Sequence, residues 1–266
     1  MKDTSVSTVQ INDVSGLARI SNALRKFLAD AARDWNLSPA KVAIICILPF
    51  VVAFLGASTA LLGKSAYKLF TSEDAIAETL QVLLYATSFF LSLITAVRYW
   101  RSGEKLIGVL FVGLSGALFF LIGEELSWGQ RLIGWETADS FAAINKQAET
   151  NLHNVYGVGS TFKWIQLLVG AYGTIIPLLV WRWDRLQPYR DCLWSMVPHY
   201  TLVGYFVMLF VWRIYRNFFD PPQEFYFVVS EYNEVLELVL ALGFFFFLVF
   251  QLRRLGLHKR KISAAQ

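Results

Sequence analysis

Apolar residues gather in six long blocks, Val42–Leu62, Thr79–Val97, Leu106–Gly123, Trp164–Trp181, Met196–Trp212 and Val235–Leu252, with polar segments between them. A helix crossing the ~30 Å hydrocarbon core of a bilayer needs roughly 17–25 such residues. The first four blocks hold no charged residue, the fifth includes His199 and the sixth Glu237. Open strands would leave unpaired backbone groups in hydrocarbon, so blocks of this length predict helices. The expected fold is all-α: a six-helix transmembrane bundle over residues 42–252, with an N-terminal segment 1–41 and a basic tail 253–266.

Outside the blocks the periodicity changes. Within Ile11–Trp35, Val14, Leu17, Leu24, Leu28, Ala31 and Trp35 recur near helical spacing, with Arg19, Arg25, Lys26 and Arg33 around them. This predicts an N-terminal amphipathic helix, lying either on anionic lipid headgroups or on the bundle's cytoplasmic end. The long loop after the third block is predicted to be partly helical. Over Ser140–Asn154, Phe141, Ile144, Ala148 and Leu152 form one stripe, and Asn145, Glu149 and His153 follow at i, i+4, i+8 on a neighbouring face. On a helix Glu149 and His153 would meet one turn apart.

Composition agrees with a membrane class. The chain is 56% hydrophobic and 17% charged, against about 45–50% and about 25% in soluble domains. Of the 24 Lys and Arg, 17 fall on the N-terminus, the second and fourth connections and the tail. By the positive-inside rule both termini are then cytoplasmic, in a multi-pass protein of a bacterial inner membrane. Acidic residues divide the other way, 13 of 20 lying on or near the opposite loops. The net charge of +4 is small and spread out, so no nucleic-acid partner is expected. Cys46 and Cys192 fall on or near the cytoplasmic side, away from disulfide-forming surroundings. The small-residue pairs Gly56/Ala60 and Gly113/Ala117 predict close helix approach.

Chemistry concentrates at the outer side. The third block ends in Glu124-Glu125-Leu126-Ser127-Trp128-Gly129-Gln130-Arg131. Two carboxylates at a membrane boundary demand pairing, protonation or a cation. If the helix runs on to Arg131, Glu124, Trp128 and Arg131 share a face. Arg213 and Arg216 leave the fifth block one turn apart, and Glu231, Glu234 and Glu237 enter the sixth at i, i+3, i+6. The simplest pairing joins those arginines to two of the three glutamates, leaving one carboxylate available.

Glu124, Glu125, Glu149 and His153 are thus the candidate catalytic residues. Trp128, Gln130, Arg131, Asn151, Asn154, Arg213 and Arg216 are candidates to bind substrate. A set of Glu124, Glu149, His153 and Glu234 has the oxygen-and-imidazole character of a Zn, Mn or Fe site. Such a site suits a metal-assisted or acid–base enzyme acting on membrane lipid or a lipid-linked substrate. Two other classes remain open. A transporter or channel would use the same carboxylates for cations or protons, continuing through Gln81, Thr87, Ser88, Ser92 and Gln166. A non-catalytic accessory subunit would have every carboxylate tied by Arg131, Arg213 and Arg216.

The run Glu124-Glu125-x-Ser127-Trp128-Gly129-Gln130-Arg131, with Asn145-x-Gln147-x-Glu149-x-Asn151-Leu152-His153-Asn154, resembles a group of uncharacterised bacterial multi-pass membrane proteins. The resemblance implies a multi-pass architecture in which the two motifs act as a unit, and it implies no particular reaction.

Overall fold

The computed structural model describes residues 5–72, 75–220 and 222–265, and the side chains of 16–72, 75–220 and 222–257. The described residues are predominantly helical: α1 (Ser5–Trp35), α2 (Pro39–Ser58), α3 (Lys64–Thr71), α4 (Ile76–Arg101), α5 (Lys105–Glu125), α6 (Gln130–Ile133), α7 (Asp139–Ala142), α8 (Gly159–Arg182), α9 (Arg190–Leu193), α10 (Val203–Phe218) and α11 (Tyr226–Ala265). Among the described residues no strand forms, only an isolated bridge between Asn145 and Val155. Five segments are long and apolar enough to cross a membrane: Pro39–Leu62, Lys64–Arg101, Lys105–Glu125, Gly159–Arg182 and Gln223–Leu257.

Two units divide the chain, Met1–Cys46 and Ile47–Gln266. In the first, α1 extends the amphipathic helix expected from Ile11. Leu17, Ile20 and Leu24 are exposed along one side, Ala31 and Trp35 are buried, and Arg33 pairs with Asp30. The side chains of Val14 and of the tail cations Lys259, Arg260 and Lys261 lie outside the described residues.

The second unit reverses the usual placement of polar and apolar groups. On α4, Glu78, Gln81, Ser88, Ser92 and Thr95 are buried, while Leu80, Leu83, Phe90, Ile94 and Val97 face outward. An apolar surface of that extent suits lipid as the solvent. The short turn at Gly103 (φ +89°) folds α5 back along α4, where a hydroxyl of Ser92 donates to Phe111 O at 2.9 Å. Next, α11 packs on α4 and α10, and α10 packs on α8. Gly170 and Gly173 let α8 approach the backbone and ring of Phe210 and Phe206, and any Cβ at Gly173 would collide with that ring. Gly56 likewise lies against Val235, as its spacing predicted. Gly113 and Ala117 do not serve as expected: both are exposed, and no neighbour stands within 4 Å of a Cβ built at Gly113.

The fifth apolar block behaves differently from the other five. Its helix α10 begins only at Val203 and has 16 residues, about 24 Å at ~1.5 Å per residue. Pro198 has no N–H to give a helix, and His199 is extended (φ −63°, ψ 145°) while its ring accepts from Thr201 N. Met196–His199 therefore turns the chain instead of beginning the helix, which falls short of the five spanning segments.

Two local expectations are corrected. The helix of the third block ends at Glu125 and does not run to Arg131. Ser127 (φ +46°), Trp128 (φ +54°) and Gly129 (φ +96°) adopt successive left-handed conformations that reverse the chain. Nor is Ser140–Asn154 a continuous helix. After Ala142 the chain forms turns, because the Asn145 side chain accepts from the backbone amides of Gln147 (2.9 Å) and Glu149 (3.3 Å) and Ala148 is left-handed (φ +56°). Asparagine readily competes in this way with helical hydrogen bonding.

Candidate functional site

Apolar helix bodies with charged ends must bring those ends together or leave them at the membrane boundary. Here the N-terminal ends of α4, α8 and α11 meet the C-terminal ends of α5 and α10 around a cavity of about 230 Å³. Helices α4 and α5 supply Glu78, Glu124 and Glu125, and α11 supplies Asn233, Glu234 and Glu237. Helices α8 and α10 bring Lys163, Gln166 and Arg213. Tyr85, Val169, Leu240 and Phe244 line it deeper along the helices, and Arg131 and His153 come from the loop.

Glu124 ties that loop to α5. One carboxylate oxygen accepts the Trp128 indole N–H at 2.8 Å, and the other accepts the backbone amides of Leu152 (2.8 Å) and His153 (2.9 Å). The His153 Nδ1 stands 3.3 Å from the same oxygen. Trp128 lies across Gly123, where a Cβ would come 2.9 Å from its ring, and packs edge-on against Phe119 and Phe120. The left-handed triplet therefore aims the indole back at the helix that precedes it.

Glu149 anchors the next layer. It accepts from Ser127 Oγ (2.7 Å), Asn151 Nδ2 (2.8 Å) and Arg131 (3.3 Å), and Arg131 also pairs with the buried Glu78. Asn145 fixes Asn151 through its backbone carbonyl and side-chain oxygen. Gln130 Oε1 accepts the amide of Thr150 at 2.8 Å and the hydroxyl of Thr137 at 3.2 Å. So the two sequence motifs do meet, but Glu149 and His153 do not face each other as a helical pair: each engages α5 or the turn after it.

At the cavity itself the amides distribute the charge. Gln81 Nε2 donates to Glu125 at 2.8 Å and lies 3.5 Å from Glu237. Glu237 also accepts from Gln166 (2.7 Å) and from Asn233, and stands 3.6 Å from Arg213. The amide oxygens of Gln81 and Gln166 are buried without a donor.

Of the residues singled out in the sequence, Glu124, Glu125, His153, Arg131, Arg213 and Glu234 line the cavity. Trp128, Gln130, Glu149 and Asn151 instead shape the loop. Asn154 is held by Gln147 at 2.7 Å. Only one of the two expected arginine pairings forms: Arg213 reaches Glu237, whereas the Arg216 guanidinium lies over the Tyr226 ring at 5.6 Å. Among the described residues no three His, Cys, Asp or Glu converge as a metal site would require. Glu124 engages the loop through both oxygens, and Glu149 engages Ser127, Asn151 and Arg131. Glu78 and Lys163 were missed. The signal for Glu78 lies in Glu78, Gln81 and Tyr85, polar groups at i, i+3, i+7 that share one face of an apolar helix.

Compared with protein-family models, curated proteins and solved structures, the chain matches none.

Proposed function

We propose that this chain is a multi-pass membrane enzyme that moves a proton at a lipid or lipid-linked substrate through the carboxyl of Glu125. In this reading α10 is a sixth crossing, both termini are cytoplasmic and the cavity opens on the outer face of a bacterial inner membrane. The observation that carries it is the contrast among the carboxyls. Glu78 is paired with Arg131, Glu124 and Glu149 hold the loop, and Glu237 meets Arg213 and two amides. Among the described residues Glu125 receives one hydrogen bond, from Gln81, and has no cation within 4 Å. It faces the cavity with capacity to spare, as a general acid or base must.

A proton-coupled transporter is the second reading. It is supported by the buried hydroxyls of Ser88, Ser92 and Thr95, which continue the polar face of α4 toward Tyr99, itself donating to Gln251 at 3.1 Å. Lipid nanodiscs holding the full chain and a bacterial polar lipid extract separate the two. Mass spectrometry should record lipid turnover that falls about 100-fold or more in Glu125→Gln. Equal turnover by the variant, or none by the folded native protein, overturns the enzyme reading. Proton flux in sealed vesicles that Glu125→Gln abolishes would favour the transporter.

A further inference from the structure

Deeper along the same helices lies a second cavity, of about 290 Å³, with a different character. Leu110, Leu114, Tyr172, Met196, Phe206 and Phe247 line it, and Val169 and Phe244 belong to both cavities. A charged volume and an apolar volume thus share a wall inside helices whose outer faces suit lipid. Along α11 their lining runs from Glu234 to Phe247, about 20 Å at ~1.5 Å per residue, longer than half of the ~30 Å hydrocarbon core. One molecule with a polar head and a hydrocarbon chain fills such a pair.

The charges indicate which head. Lys163 lies at the mouth of the first cavity and within electrostatic reach of Arg213, Arg216 and Lys146. Lys163 makes no ion pair among the described residues, and Arg213 stands 3.6 Å from Glu237 with Glu234 also within electrostatic reach. Arg213 Nε and Arg216 Nη1 are buried without an acceptor. Cations gathered at a membrane boundary repel one another unless an anion offsets them. A phosphoryl group has the oxygens to engage an ammonium and a guanidinium together.

We propose that the two cavities hold one lipid phosphate, with its phosphoryl group against Lys163 and Arg213 and its chain running past Val169 and Phe244 toward Phe247. This rests on the lipid-substrate reading and names the substrate class; it places the phosphate in the cavity that Glu125 also lines.

The test is binding to the purified full chain in non-ionic detergent, with dodecyl phosphate, dodecyltrimethylammonium and inorganic phosphate as probes. Dodecyl phosphate should bind, and Lys163→Ala and Val169→Trp should each weaken it about tenfold or more. Lys163→Arg should restore most of the affinity, and Leu168→Trp, on the exposed face of α8, should leave it unchanged. Inorganic phosphate binding as tightly overturns the lipid, and tighter binding of the ammonium overturns the sign of the head. Insensitivity to Val169→Trp overturns the path of the chain. Binding as expected without any lipid turnover would sink the enzyme reading alone. Turnover unaffected by Lys163→Ala and Val169→Trp would sink this assignment alone.

Discussion

The carboxylate of Glu124 receives the backbone N–H of His153 at 2.9 Å and lies 3.3 Å from the Nδ1 of that same residue. One side chain at the end of an apolar helix thereby fixes both the position of a loop backbone and the imidazole it carries. This relationship gives Glu124 a structural weight that Glu125, its neighbour in sequence, does not share.

Glu124→Ala should accordingly unfasten the loop. Loss of a buried charged acceptor with three N–H partners is expected to cost about 2–4 kcal/mol. Thermal unfolding in detergent should show it, with faster proteolysis across Asn145–Asn154. His153→Ala keeps the backbone bond and should cost less than half as much. Equal losses would show that the imidazole, not the amide, carries the attachment.

Glu125→Gln should leave that unfolding transition within about 0.5 kcal/mol of the native one, since an amide can still accept from Gln81. Its effect should appear in turnover alone. A large loss of stability would mean that Glu125 is a packing residue.

Helix approach offers a sharper pair. Gly173→Ala places a methyl into the Phe206 ring and should destabilise by about 1–3 kcal/mol. Gly113→Ala meets open space and should be neutral or slightly stabilising. Unfolding midpoints that fail to separate these two variants would contradict the packing of α8 on α10.

Topology can be read with reporters fused after Gly103, Asn145, Pro188, Pro222 and Ile262. Asn145 and Pro222 should report the outer face, and Gly103, Pro188 and Ile262 the cytoplasm. Opposite faces for Pro188 and Pro222 require α10 to cross. The same face for both would leave five crossings and put the termini on opposite sides.

The helical fold was legible because hydropathy acts over whole blocks, and five of the six expected blocks lie within segments able to span. The exception, α10, turned on Pro198 and His199, where local backbone geometry outweighed apolar content. The two motifs were legible as partners, yet their contacts were not. Helical periodicity placed Glu149 beside His153, whereas an asparagine side chain and a left-handed alanine broke the helix between them. Three successive positive φ values at Ser127–Gly129 carry no signature in residue type apart from the glycine. The places of Glu78 and Lys163 in the cavity lining emerged only once five helix ends were assembled.

The shortness of α10 has a consequence for the bilayer around it. In the six-crossing reading, α10 at about 24 Å beside a ~30 Å core leaves a deficit of about 6 Å, which lipid would absorb by thinning on that side. Thinned lipid lowers the water boundary toward Arg213 and Arg216, so a headgroup would have less hydrocarbon to cross before reaching the mouth beside Lys163. Bilayer thickness then becomes a control variable for this protein: it should work best in short-chain lipid and slow progressively as the acyl chains of its host membrane lengthen.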